Sequence, residues 1–252
     1  MNDDPTPKVG APNAAGDPEE ALLPALRRSA LPLNAQLARV SKLIEESYPH
    51  YARAYDQLIA RLRRAQAGGT APQQGEQMPE FLLPDNSGHL VSLAQLRGDG
   101  PVVVAFLRGH WCPYCRLNAA ALADVATSIK PAQIVAISAD TAKYSKKLRD
   151  DSGASFPFLT DVGNGYAMML GLSFALGEEL AAMLGADACD IPAFHGTESW
   201  VLPIPATFVV GSDGFITARY VNPDFRQRME IDALRSAVAL ASAGDGGPIG
   251  SP

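Results

Sequence analysis

The sequence predicts an α/β chain, a central mixed sheet flanked by helices and preceded by an N-terminal helical extension. Three observations carry this reading. The runs "PVVVAFL" at 101–107 and "IVAIS" at 134–138 are continuously apolar, as strands covered on both faces are. A helix-length segment of about 113–129 lies between them, which makes a βαβ unit. Late in the chain, "ATFVV", the turn "GSDG" and "FITARYV" read as an antiparallel hairpin.

Taken in order, residues 1–20 are acidic and rich in Pro, Gly and Ala, the composition of a disordered N-terminus. From 21 to 66 the apolar spacing turns helical. Leu33, Leu37, Val40 and Ile44 form one stripe, with Asn34 placed to cap it, and Tyr51, Tyr55, Leu58 and Leu62 form a second. Pro49 should separate the two helices. Such stripes are packing surfaces before they are anything else. "AGGTAPQQGEQ" at 67–77 has linker composition. "FLL" and "LVSL" flank the turn-rich "PDNSGH" and predict a hairpin.

After the βαβ unit, residues 141–151 read as a helix, "FPFLT" as a short edge strand and "GYAMMLGL" as a short helix. "IDALRSAVALA" closes the fold as a helix, and residues 243–252 form a Gly/Pro/Ser tail. Parallel strands, then an antiparallel hairpin, then a covering helix is the order of a thioredoxin-like fold. That body spans 75–242, and 172–203 is an insertion within it. The helical extension and the insertion, with its apolar "FALGEELAAML", offer surface for a homodimer as well as for a core.

Bulk properties exclude several functions. The chain has 252 residues, 47% of them hydrophobic, and a net charge of −6. Its densest basic run is "RLRR" at 61–64, so neither a nucleic acid nor a polybasic membrane anchor is expected. No apolar run approaches the ~18–20 residues of a membrane span. The acidic N-terminus lacks the basic and apolar regions of a signal peptide, and the expectation is a cytoplasmic protein. Three cysteines, Cys112, Cys115 and Cys189, do not make a disulfide framework but leave room for one working pair.

The chemistry concentrates in "FLRGHWCPYCR" at 106–116. A strand ends near Leu107, and Pro113 suits the first turn of a helix. Cys112 then stands at the helix start, where unpaired backbone N–H groups favour a thiolate over a thiol. Arg108 could add a cation, and Cys115 lies one turn along the same face. His110 is placed either to tune the thiol or to sit in solvent. Two other readings of the cysteines stay open: small buried core residues, or a zinc site that adds Cys189 and His195 from "CDIPAFH".

"FLRGHWCPYCR", "AISAD", "FPFLTD" and "PIPATFVVGSDG", in this order over about 75–240, resemble the peroxiredoxin-like branch of the alkyl hydroperoxide reductase/thiol-specific antioxidant family. "RGxWCPYC" is an active-site signature there. The resemblance implies a thiol peroxidase in which Cys112 attacks a hydroperoxide and Cys115 resolves the sulfenic acid as a disulfide, with no cofactor. A thioredoxin-like protein or a small thiol would be the reductant. It assigns the substrate pocket to Arg108, Gly109, His110, Trp111 and Pro205, and expects a cis bond before Pro205. Two positions depart from the pattern: Gly109 stands where the family carries Thr or Ser, and Pro205 near where it carries Arg. A Cys-Pro-Tyr-Cys pair also suits the alternative of a thioredoxin-like thiol–disulfide oxidoreductase acting on protein disulfides.

Overall fold

In the computed structural model of the chain, which describes residues 18–244, three helices open the fold: α1 (Pro18–Arg27), α2 (Leu33–Ser47) and α3 (Pro49–Arg64). The greater part of the expected disordered N-terminus lies outside the described residues, but Pro18, Glu19 and Glu20 already belong to α1. Pro49 occupies the first turn of α3, where its missing N–H costs nothing, so it starts that helix as it interrupts the last. Asn34 is not the cap of α2. Pro32 holds that position and has no capping side chain, and the Glu230 carboxylate takes the Leu33 and Asn34 amides instead, at 3.1 and 3.0 Å. Because Glu230 precedes the last helix, this cap ties the two ends of the chain together.

The hairpin β1 (Leu82–Pro84) and β2 (Leu90–Ser92) is antiparallel, and the short helix α4 (Leu93–Arg97) follows it. Ser92 and Gln95 form a reciprocal capping box at the start of α4. Then come β3 (Val102–Phe106), α5 (Pro113–Val125), β4 (Gln133–Ser138), α6 (Ala142–Ser152) and β5 (Phe158–Thr160). Every residue of β3 is buried, in keeping with its unbroken apolar run. Helix α5 stops short of the expected 129, because the Ser128 amide and hydroxyl both take the Val125 carbonyl, at 2.9 and 2.8 Å.

A 3₁₀ turn and the short helix α7 (Gly165–Met169) lead to β6 (Ser173–Ala175), α8 (Glu178–Ala186), α9 (Ile191–His195) and β7 (Val201–Pro203). The chain ends with β8 (Ala206–Val210), β9 (Ile216–Val221) and α10 (Ile231–Gly244). Of the expected tail, residues 245–252 lie outside the described residues, while 243 and 244 extend α10.

The main sheet has the order β5-β4-β3-β8-β9. β3, β4 and β5 are parallel, and β8 and β9 are antiparallel additions. β5 lies on the edge, as expected. β6 and β7 pair with each other, so the segment 172–203 closes as a small lobe. The 67–77 stretch is ordered rather than loose. Glu76 and Gly75 exchange backbone bonds with Ile216 at 2.9 and 2.8 Å, which lays the stretch along β9.

The N-terminal helices and the insertion share one core with the sheet. α1 and α2 pack on α5, the helix that carries the cysteine pair. From α3, the Tyr51 hydroxyl donates to the Met183 carbonyl and to Asp187 at 2.8 and 2.7 Å, and Arg61 donates to the Ala175 carbonyl at 2.6 Å. Both are contacts to the insertion. No helix among the described residues is long and apolar enough to cross a membrane.

Leu37 of α2 has no exposed surface. Leu37→Ala should lower stability by about 2–5 kcal/mol. Urea unfolding followed by far-ultraviolet circular dichroism and by tryptophan fluorescence should shift by the same amount in a single transition. Two separated transitions would mean that the helices form a body of their own.

Candidate active site

The loop 107–112 runs from the end of β3 to the start of α5. Leu107 still donates to the Ile137 carbonyl of β4, at 2.8 Å, so the sheet fixes where the loop begins. Cys112 is the N-cap residue of α5, with Pro113 in the first turn. Its carbonyl accepts from the Cys115 and Arg116 amides at 3.0 Å each, which fixes the two cysteines one helical turn apart. Both sulfurs are free thiols and both residues are fully buried.

Two guanidinium groups surround them. Arg108 Nη2 lies 3.0 Å from Cys112 Sγ, and the Arg108 backbone amide donates to Cys115 Sγ at 3.2 Å. Arg228 arrives from the segment after β9, with Nη2 3.4 Å from Cys115 Sγ. Arg108 is 1% exposed and Arg228 2%. Among the described residues no carboxylate lies within 4.0 Å of either guanidinium, so the sulfurs are their nearest acidic partners. The Phe225 ring lies 3.7 Å beneath the Arg108 guanidinium, and the Trp111 indole lies at 5.0 Å. Tyr55 and Tyr114 close on Phe225 at ring distances of 5.2 and 5.8 Å.

The sequence places the activated thiolate at Cys112 and attributes it to helix amides. The structure corrects both the cause and the seat of the charge: the Cys112 side chain makes no capping bond to the helix, and the sulfur held low is that of Cys115. Burial pushes the Cys112 thiol well up, and its hydrogen bond to Cys115 adds to this, while Arg108 opposes both. Burial also pushes Cys115 up, but there it is outweighed. The hydrogen bond from Cys112, the Arg228 and Arg108 charges and the Arg108 amide together hold Cys115 well below the ordinary thiol value. The pair therefore gives up one proton easily and its second only with difficulty, and the single negative charge belongs to the pair.

Behind the loop lies a second buried group. Asp140, at the end of β4, accepts the His110 amide at 2.7 Å. Its carboxylate is 3.4 Å from His110 Nδ1 and 3.9 Å from His195 Nε2. His195 is in turn hydrogen-bonded to the Arg108 backbone, while burial lowers its affinity for a proton. His110 is thus neither solvated nor bonded to a sulfur. Its ring stacks on Tyr144 at 4.4 Å and meets Phe194 edge-on at 4.8 Å.

Gly109 has φ +144°, and a Cβ built there would stand 2.6 Å from Trp111 Nε1 and 2.9 Å from Asp140 Oδ1. A Thr or Ser cannot fit, so the peroxide-binding hydroxyl of the family pattern has no place in this loop. Trp111 is buried against Arg108. Pro205 is also buried and directly precedes β8, whose Ala206 pairs with Phe106 at the mouth of the loop.

The bond before Pro205 is not the cis peptide of the described residues, which is Lys130–Pro131. Here the chain passes from β7 to β8 while both flanks stay paired in sheets, Pro203 with Ser173 and Ala206 with Phe106. The zinc reading also fails, since no three His, Cys, Asp or Glu side chains among the described residues gather as a metal site. Cys189 is buried as a neutral thiol, pushed up chiefly by its burial.

Sequence reasoning missed Arg228 together with Phe225, Tyr55 and Asp140. "NPDFRQR" at 222–228 reads as a charged surface turn. Nothing in it separates Arg228 from Arg226, which pairs with Asp56 and Asp224 at 2.8 and 2.9 Å. The arginine without an acidic partner is the one that reaches the sulfur.

Comparison with known proteins falls on this same region. A model of the AhpC/TSA family matches residues 74–219. A chloroplastic peroxiredoxin Q of Triticum aestivum is 31% identical over 160 residues, 61% of this chain and 73% of that protein. A putative peroxiredoxin of Mycobacterium tuberculosis is 31% identical over 150 residues, 59% of this chain and 84% of its own. A putative chloroplastic peroxiredoxin Q of Oryza sativa subsp. indica is 34% identical over 93 residues, and there the chain spans only 42% of the relative's length. Among solved structures, the peroxidoxin BcpB of Mycobacterium tuberculosis aligns with a TM-score of 0.50 at 22% identity, covering 68% of this chain and 97% of that one. A peroxiredoxin 6 of Arenicola marina aligns at 0.54 with 16% identity, covering 72% and 78%. These structural likenesses place the fold as thioredoxin-like.

Two measurements follow from the geometry. Gly109→Ala should lose about 1–3 kcal/mol of stability through backbone strain and slow thiol chemistry at Cys112; an unchanged melting temperature would contradict the packing described. The pH dependence of stability should carry the signature of the pair. A Cys115 thiol lower in the folded than in the unfolded chain adds stability as pH rises toward the ordinary thiol value of 9.0, and a raised Cys112 removes it above that value. The stability of the wild type minus that of Cys112→Ala/Cys115→Ala, measured under reductant, should therefore climb and then fall across pH 6 to 10. A flat difference would show that the sulfurs ionise as they do in the unfolded chain.

Proposed function

The chain belongs to the AhpC/TSA family, and on that premise we propose that it is a thiol peroxidase that reduces hydrogen peroxide or small organic hydroperoxides. Cys112 is the attacking sulfur. Its electron pair takes the terminal peroxide oxygen, the O–O bond breaks, and the product is a Cys112 sulfenic acid with water or an alcohol. The proton shared by the two sulfurs rests on Cys115 while Cys112 attacks, so the pair's one negative charge passes through Cys112 to the leaving oxygen beside Arg108, 3.0 Å from the sulfur. Cys115 then displaces the sulfenic hydroxyl and closes a disulfide. A thioredoxin-like protein or a small thiol reopens it by exchange.

The observation that carries this reading is the buried thiol pair between two guanidiniums that lack carboxylate partners. In the first step, fixed cations waiting at a dry sulfur do not need to reorganise as charge develops. The same burial weighs against the alternative substrate class. A protein disulfide must bring its own backbone to the attacking sulfur, and Cys112 is fully buried, whereas a hydroperoxide is only a few atoms across and needs a much smaller opening to reach it.

One equivalent of hydrogen peroxide should convert the reduced protein to the Cys112–Cys115 disulfide, read by intact mass as the loss of two hydrogens. Cys115→Ser should accumulate a dimedone-reactive sulfenic acid, and Cys112→Ser should stay unmodified. With hydroperoxide and insulin assayed side by side on one preparation, peroxide turnover should dominate. Faster reduction of insulin would instead favour the thiol–disulfide oxidoreductase.

A further inference from the structure

Arg228 lies beyond residue 219, where the family match ends, yet its charge is spent on the redox pair. It belongs to a strap, 222–230, between β9 and α10. Its Nη1 donates to the Phe225 carbonyl and, at 2.8 Å, to the Gln227 carbonyl, and Nη2 is left for Cys115 Sγ.

The N-terminal helices hold this strap. Asn34 grips the Arg228 backbone twice: its Oδ1 accepts the Arg228 amide at 2.8 Å and its Nδ2 donates to the Arg228 carbonyl at 2.9 Å. Two residues on, Glu230 caps α2, and Arg226 bonds Asp56 of α3 at 2.8 Å. Arg226 takes two carboxylates, whereas Arg228, two residues on, takes none among the described residues. This one is fixed by its own backbone, shut away from solvent and aimed at one sulfur.

We propose that Arg228, set in place by Asn34, is a positioning residue for the resolving step and keeps the Cys115 sulfur anionic for its attack on the Cys112 sulfenic acid. This rests on the peroxidase reading above. The two guanidiniums then contact different sulfurs, Arg108 that of Cys112 and Arg228 that of Cys115, while the Arg108 amide also supports Cys115. In the second step the Cys115 electron pair forms the S–S bond and the Cys112 S–O bond breaks. The leaving hydroxide takes a proton from the medium and departs as water. The oxidising equivalents come from the hydroperoxide spent in the first step.

The ionisable groups facing Cys115 are Cys112 and Arg108 on the loop and helix and Arg228 on the strap. Tyr114 of α5 and Tyr55 of α3 face Cys112 and Arg108. Without Arg228, Cys115 loses the one guanidinium whose side chain bonds its sulfur, and resolution should come to depend on alkaline pH.

The test uses the full chain, reduced and freed of reductant, with hydrogen peroxide as the probe and stopped flow separating the two steps. In Arg228→Gln the disulfide-forming step at pH 7 should slow up to about tenfold more than the sulfenate-forming step, the full factor applying where the Cys115 titration comes to lie one unit above its former place and above the working pH. The deficit should shrink as pH rises toward 9, and Arg228→Lys should restore most of the rate. Equal slowing of both steps, or slowing that pH does not relieve, would mean a merely structural role and overturn the proposal. If Arg228→Gln does not fold, Asn34→Ala should show a smaller slowing with the same relief by pH, and its absence there counts equally against the idea.

A second readout needs no peroxide. In a Cys112→Ser background, the 240 nm thiolate absorbance of Cys115 should titrate about one pH unit higher when Arg228→Gln is added. If Cys112 fails to react with hydrogen peroxide but this shift appears, the peroxidase reading falls while the Arg228–Cys115 pairing stands. If the shift is absent, the pairing itself is refuted.

Discussion

Two positive charges shut inside the protein without a carboxylate set the terms for everything around them. Moving one ion out of water costs several kcal/mol even after the surroundings relax, and removing the partner of a buried charge typically costs about 3–5 kcal/mol. Arg108 and Arg228 meet that cost with what lies against them: backbone carbonyls, the face of Phe225, and the sulfurs of Cys112 and Cys115. Only the sulfurs can supply negative charge. The thiol pair is therefore obliged to ionise, because the neutral form would leave two cations facing apolar rings. Reactivity here comes from buried cations that outweigh the desolvation of the sulfur, in contrast to the more familiar case of a thiol at a solvent-facing helix end.

The fold produces this arrangement by converging from outside the central sheet. β3 and α5 supply the cysteine loop, but its other wall comes from parts of the chain far away in sequence. Tyr55 arrives on α3, Phe225 and Arg228 on the strap after β9, and His195 on the insertion. Asp140 pins the His110 amide and His195 bonds the Arg108 backbone, so the segment carrying Arg108 is held from behind. Gly109 allows this closeness, since any side chain there would collide with Trp111 and Asp140. The helical extension and the inserted lobe are thus parts of the site's enclosure, and the shared core is why they sit where they do.

How much of this is legible in the chain follows from the range of each interaction. Val102–Phe106 and Gln133–Ser138 are readable as strands because burial on both faces demands an unbroken apolar run. Cys112, Pro113 and Cys115 are readable because their relation is a local one of helix start and helix turn. Asn34 shows the limit: its type suits a cap, but Glu230, 196 residues later, takes the Asn34 amide, and Asn34 turns to the strap instead. The trans bond at Pro205 and the partnership of Arg228 likewise depend on which distant strand or helix lies alongside. Arg226 and Arg228 are the same residue type two positions apart, and only tertiary structure makes one a surface ion pair and the other a partner of sulfur.

The same electrostatics bear on how an oxidised site would be restored. Closing a disulfide removes the one anion that compensates Arg108 and Arg228, while reduction brings it back. Whatever stabilises the thiolate form relative to the disulfide makes the pair more oxidising, with a tenfold change in the equilibrium equal to about 30 mV for two electrons. Two buried guanidiniums therefore act in opposite directions on the driving force of the two halves of a catalytic cycle. They take some driving force from the oxidation, which a strong oxidant such as a hydroperoxide supplies in excess, and they make the resulting disulfide readily reducible by an external thiol. A structural disulfide calls for the reverse, a reduced form with nothing to gain from ionising. The charge pattern around Cys112 and Cys115 suits a bond that is made and broken in every turnover.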